Sequence, residues 1–150
     1  MCSSDLPTLL IRGGRVVDPS QGIDRIDDVL VRDGVVAAIG GGASADETID
    51  AAGHIVCPGL VDMHVHLREP GREEDETIAT GCRAALAGGF TSVVCIPNTE
   101  PPIDTQGAVE FIHQKAARAD ACNVFVVACV SRNREGDRKS TRLNSSHLVI

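Results

Sequence analysis

Pro58 to Pro70 reads PGLVDMHVHLREP, and its spacing decides both the fold class and the place to look for chemistry. Leu60 to Val65 has the apolar, partly β-branched character of a buried strand. Side chains two residues apart leave a strand on the same face, so Asp62, His64 and His66 share one side. Two such imidazoles stand roughly 7 Å apart at their Cα atoms, close enough for a nitrogen of each to reach one Zn²⁺ at about 2.0–2.1 Å. Arg68, two residues further on, offers a cationic fork that suits a carboxylate just beyond the metal. A strand that ends in histidines and runs into a Pro-Gly loop is where α/β barrels carry their active sites.

Downstream, the chain alternates helix and strand. Glu73 to Leu86 is expected to form a helix, with Glu73, Glu74, Asp75 and Glu76 crowding a first turn that favours negative charge. That placement explains the acidic run as a helix start rather than a second metal site. Ile78, Cys82 and Ala85 give the helix an apolar stripe, and Ala87-Gly88-Gly89 ends it. Thr91 to Ile96 is a buried strand with Pro97-Asn98-Thr99 at its carboxyl end. Asp104 or Thr105 caps a second helix striped by Val109, Ile112, Ala116 and Ala119, with His113 beside the stripe. Asn123 to Val130 is a third apolar strand. Near-continuous apolar strands separated by helices imply a parallel sheet with crossovers. A dinucleotide fold is disfavoured because the first strand leads to HVHLREPG and not to a G-x-G-x-x-G turn.

Upstream, Thr8 to Cys57 reads as short strands: Thr8–Ile11, Arg15–Val17, Asp28–Val31, Val35–Ile39, Glu47–Asp50 and His54–Cys57. Asp33-Gly34 between VLVR and VVAAI is the clearest hairpin turn. Gly40 to Gly42 lacks the Lys-Ser/Thr pair and the following helix of a phosphate loop. His54 is read as a strand-surface residue.

The 150 residues are one domain's worth, and 43% hydrophobic content is enough for a core. A net charge of −7 and an aromatic content of 2% argue against nucleic acid or an anionic membrane as partner. With no long apolar run and no signal-peptide pattern, the chain is expected in the cytoplasm. The six cysteines include no CxxC pair; Cys57, Cys95 and Cys129 sit in apolar runs and are expected as buried thiols. Residues 137–147, DRKSTRLNSSH, translate without mismatch from a common sequencing-adapter read, and residues 2–6, CSSDL, from the opposite-strand adapter. Residues 1–6 and 137–150 are therefore expected to be assembly scars and, like a tag, no part of the fold. The expected domains are 7–57, a β module, and 58–136, the βα units.

The run PGLVDMHVHLREPG, together with AALAGGFTSVVCIPNTEPPID from Ala84 to Asp104, resembles the metal-dependent amidohydrolases, and within them the dihydroorotases of the longer type. The resemblance covers about residues 8–135. It implies an α/β fold, a partial TIM (β/α)8 barrel contributing its first three strands, preceded by part of a small β-sandwich. It implies one or two Zn²⁺ per full-length subunit, with His64 and His66 as metal ligands, Arg68 and Asn98 on the substrate carboxylate, and Asp62 supporting the site. The implied reaction is reversible hydrolysis of dihydroorotate to N-carbamoyl-aspartate in pyrimidine biosynthesis. The other metal ligands and the aspartate general base would lie on later strands, so no catalytic base falls within these residues and the piece alone is expected to be inactive. A homodimer, or association with aspartate carbamoyltransferase, is the partnership the family implies. Two alternatives stay open: an allantoinase- or hydantoinase-like cyclic amidohydrolase, and a non-catalytic partner of a carbamoyltransferase.

Overall fold

The computed structural model describes residues 6–136, which divide into two compact units between Pro58 and Gly59. Of the two adapter-like ends, 1–6 and 137–150, all but the exposed Leu6 lies outside the described residues.

The first unit is a five-stranded sheet built from β1 (Leu9–Asp18), β2 (Ile23–Arg32), β3 (Val35–Ile39), β4 (Glu47–Asp50) and β5 (Ile55–Val56). β1 pairs antiparallel with β2, which pairs antiparallel with β3; β4 and β5 lie parallel to successive parts of β1. The expected pair of strands at Thr8–Ile11 and Arg15–Val17 is one strand. Gly13-Gly14 does not end it but makes a bulge, where the register with β2 shifts between Ile11 and Gly14. The Asp33-Gly34 turn is the hairpin the sequence indicates: both residues have positive φ, +51° and +75°, the combination that matches the twist of adjoining strands. His54 falls in the turn before β5, its Nδ1 3.1 Å from the Ala52 carbonyl oxygen. Cys57 follows β5 and is exposed, contrary to its expected burial, because the strand pairing stops at Val56.

In the second unit β6 (Leu60–Val65), β7 (Phe90–Cys95) and β8 (Asn123–Val126) form a parallel sheet in that order. The helices α1 (Ile78–Ala87) and α2 (Gln106–Ala119) supply the two crossovers. Their apolar stripes meet the sheet in one core: Leu67, Ile78, Cys82, Val93, Cys95, Ile103, Ile112, Ala116 and Val124 are buried together. Fully burying side chains such as Ile78, Ile103 and Ile112 contributes about 1.5–3 kcal/mol each.

Three expectations change here. Helix α1 begins at Ile78 and not at Glu73, because Thr77 caps it: its hydroxyl accepts from the Thr80 amide, and the Thr80 hydroxyl accepts from the Thr77 amide. The acidic residues ahead of it occupy the preceding turns, with Glu73 accepting from the Gly71 amide at 3.0 Å. Strand β8 stops at Val126 rather than Val130; Val127 and Cys129 donate their amides to the Cys95 and Ile103 carbonyls instead. Strand β6 is not buried along its length: Leu60, Val61 and Met63 are exposed, and among the described residues β6 pairs on one side only, with β7. Of the two caps the sequence offers for α2, Thr105 is the one used, and the Asp104 carboxylate accepts from the Asn133 amide.

Burial pushes the Cys82 thiol up to about 12, helped by the neighbouring Cys122 thiol, and burial pushes Cys95 up to about 11. A thiol whose pKa is raised on folding favours the folded state below its unfolded pKa near 9, and that contribution is lost as pH rises through 11 to 12. Because the thiolate is the reactive form, iodoacetamide at pH 8 is expected to label exposed Cys57 readily and to reach Cys82 and Cys95 only after denaturation. Peptide mapping of the adducts would contradict this if Cys82 were alkylated at the rate of Cys57.

Candidate metal and substrate site

The carboxyl ends of the strands are held level by backbone bonds that continue past the sheet. The Ile96 amide donates to the Val65 carbonyl at 3.0 Å, and the Val127 amide to the Cys95 carbonyl at 3.0 Å. The end of β6 therefore sits beside the segment that follows β7, and this brings His66 to Asn98, 32 residues away in sequence.

His64 and His66 have ring centroids 5.2 Å apart at an interplanar angle of 64°. Two imidazoles whose nitrogens each lie about 2.0–2.1 Å from one tetrahedral zinc have ring centres about 5 Å apart, so the observed spacing fits a shared ion. His66 Nδ1 lies 2.9 Å from Asn98 Oδ1. With the amide oxygen accepting, Nδ1 carries the proton and Nε2 keeps the lone pair a metal requires. Asp62 acts on the backbone: its carboxylate accepts from the His64 amide at 2.9 Å, pinning the peptide just ahead of the pair, where the register with β7 shifts between Asp62 and Val65. Among the described residues no group of three or more His, Cys, Asp or Glu side chains is poised to hold a metal. A catalytic zinc normally takes three protein ligands, one more than this histidine pair offers.

Arg68 stands in the left-handed region at φ +60°, and the Glu69 amide donates to the Leu67 carbonyl at 2.7 Å around it. Its guanidinium makes no hydrogen bond or ion pair among the described residues, which leaves five donors for a ligand. The structure thus joins His64, His66, Asn98 and Asp62 through direct contacts and sets Arg68 two residues beyond them. His113 lies exposed on α2.

Sequence reasoning missed Glu69 and Lys115. Glu69 is 4% exposed. Its Oε2 accepts from the Ile78 amide at 2.9 Å, at the start of α1, and its Oε1 pairs with Lys115 Nζ of α2 at 2.6 Å. A lysine one residue from the buried Ala116, on a helix whose apolar stripe faces the core, was the available signal for an inward-reaching cation.

Because an outer partner fixes the tautomer of a metal-binding histidine, Asn98→Ala is expected to weaken Zn²⁺ binding by about 10–100-fold. Titration of the full-length apoprotein against a zinc indicator reads this directly, and an unchanged affinity would contradict the role.

A parallel sheet threaded by helices, with a histidine pair at the carboxyl end of its first strand, has the form of the opening βα units of a (β/α)8 barrel. A family profile described as dihydro-orotase-like matches residues 53–144. Curated relatives named dihydroorotase include that of Trichlorobacter lovleyi, 56% identical over 87% of this chain and 31% of its own length. That of Geobacter sulfurreducens is 52% identical over 86% of this chain and 31% of its own. Among solved structures, the L-hydantoinase of Arthrobacter aurescens superposes with a TM-score of 0.72 at 30% identity, over 84% of this chain and 28% of that one. The dihydropyrimidinase of Brevibacillus agri gives 0.70 at 33% identity, over 83% and 27%. The chain belongs to the dihydro-orotase-like family. It spans about a third of the length of the curated relatives it matches.

Proposed function

We propose that the full-length protein carrying this sequence is a zinc-dependent dihydroorotase, reversibly hydrolysing (S)-dihydroorotate to N-carbamoyl-L-aspartate in cytoplasmic pyrimidine biosynthesis. The observation that carries this reading is the His64–His66 pair, with His66 bonded to Asn98 at adjoining strand ends, and just beyond it the guanidinium of Arg68, unpaired among the described residues. The curated relatives' shared name supports it. No helix among the described residues is long and apolar enough to cross a membrane.

In this reading His64 and His66 hold the ion, and Zn²⁺ there supplies a Lewis acid for an amide carbonyl and lowers the pKa of water toward 7. Asn98 keeps His66 Nε2 unprotonated, and its amide nitrogen stays available to the substrate. Arg68 receives the substrate carboxylate in a two-pronged contact and so fixes the ring relative to the metal pair. Asp62 holds the His64 peptide in place. The remaining ligands and the general base come from later strands. Homodimerisation, or association with aspartate carbamoyltransferase, belongs to the same reading.

The hydantoinase-like alternative draws on the structural neighbours, which act on a related cyclic amide by their printed names. Turnover of dihydroorotate, hydantoin and allantoin, measured side by side on the zinc-loaded full-length protein, separates the readings. Preference for dihydroorotate is expected; preference for hydantoin or allantoin would replace the proposal, and absence of all three activities would favour the non-catalytic partner.

A further inference from the structure

Glu69 joins four segments of the second unit within one residue of Arg68. Its carboxylate takes the Ile78 amide at the start of α1 and the Lys115 ammonium of α2. Its own amide closes the turn around Arg68 by donating to Leu67, whose side chain is buried in the core. The next residue, Pro70, accepts from the Glu100 amide at 3.1 Å, tying in the segment after β7 that holds Asn98. Lys115 is itself held from the other side, its Nζ 5.4 Å from the centre of the Phe111 ring.

This network has a cost that packing alone does not require. An arginine at φ +60° occupies a region that a side chain with a Cβ disfavours, and such a conformation persists only where the surroundings over-determine it. A carboxylate that is almost fully buried needs both a cation and hydrogen-bond donors, and removing one partner leaves the charge stranded. Both features bear on the same peptide. We infer that Glu69, clamped between Lys115 and the Ile78 amide, is a positioning residue that locks the left-handed turn at Arg68 and thereby aims its guanidinium at the substrate carboxylate. The inference rests on the proposed function for the identity of that carboxylate and on geometry alone for the clamp.

A clamp of this kind acts on binding of the carboxylate, not on the metal. In the full-length zinc-loaded protein, Lys115→Met is expected to raise the KM for dihydroorotate by about 10-fold or more, while kcat changes less than about threefold and zinc content is unchanged. Lys115→Arg, which keeps the cation, is expected to restore KM to within about threefold of wild type. Amide hydrogen exchange supplies a readout that needs no turnover: the Glu69 and Ile78 amides are expected to exchange at least about 10-fold faster in Lys115→Met and to recover in Lys115→Arg. If Lys115→Met does not fold, Glu69→Gln is read by the same two measurements.

A folded variant that loses the ion pair yet keeps the wild-type KM overturns the inference and leaves the pair a structural tie. Unchanged exchange at Glu69 and Ile78 overturns the clamp itself. If the wild-type protein does not turn over dihydroorotate, it is the functional reading that fails, and the exchange result still decides whether the clamp holds the Arg68 turn.

Discussion

Replacing His66 with alanine in the full-length protein is expected to release the metal and lower kcat/KM for dihydroorotate by roughly 10²–10⁴-fold, since an ion that polarises the reacting carbonyl stabilises its transition state by several kcal/mol. His64→Ala is expected to do the same, because the 5.2 Å separation of the rings fits one shared ion rather than two independent contacts. The double variant should then be little worse than either single one, as groups acting as a unit are not additive. Metal content after dialysis and single-turnover rates together check this. A His64→Ala protein that retains both zinc and rate would remove that residue from the site.

Gly71→Ala is expected to be the most damaging single methyl group in the second unit. Gly71 sits at φ +102°, and a Cβ there would run into the Glu100 carbonyl oxygen and lie 2.7 Å from the Glu100 Cβ. Backbone strain at such a φ costs about 1–3 kcal/mol and overpacking against neighbours another 1–3 kcal/mol. The opposing gain, from restricting the unfolded chain, is only about 0.4–1 kcal/mol, so destabilisation wins. The consequence reaches the site. Glu100 is bonded to Pro70 and lies two residues from Asn98, so forcing these segments apart also disturbs the partner of His66. Urea denaturation of the variant is the check, and a midpoint equal to wild type would show that the segments separate without cost.

What the sequence made legible was whatever depends on local spacing. Period-two histidines, glycines at a hairpin, and helix stripes at 3.6 residues are properties of short windows, and the strand-helix alternation followed from them. Asn98 was assigned to the site by family resemblance, and the structure adds a contact that spacing does not encode, its bond to His66. The start of α1 was misplaced because acidic residues at 73–76 fit a first helical turn as well as they fit the turns they occupy; the reciprocal Thr77–Thr80 bonds settle it. The burial of β6 was overstated because an apolar strand says that it needs partners, not how many it has. The Glu69–Lys115 pair was invisible for a third reason. It links residues 46 apart, and neither the left-handed turn at Arg68 nor the burial of Glu69 has a signature in residue type.

The central claim is that His64 and His66 hold the metal on which cyclic amide hydrolysis depends. Its most direct test is to strip metal from the full-length protein, measure dihydroorotate hydrolysis, and repeat the measurement as Zn²⁺ is returned, with His64→Ala/His66→Ala protein alongside. Activity that is lost on stripping and regained with stoichiometric zinc, in wild type and not in the double variant, is the predicted result. Hydrolysis that persists without metal, or that zinc restores equally to the double variant, would contradict the account.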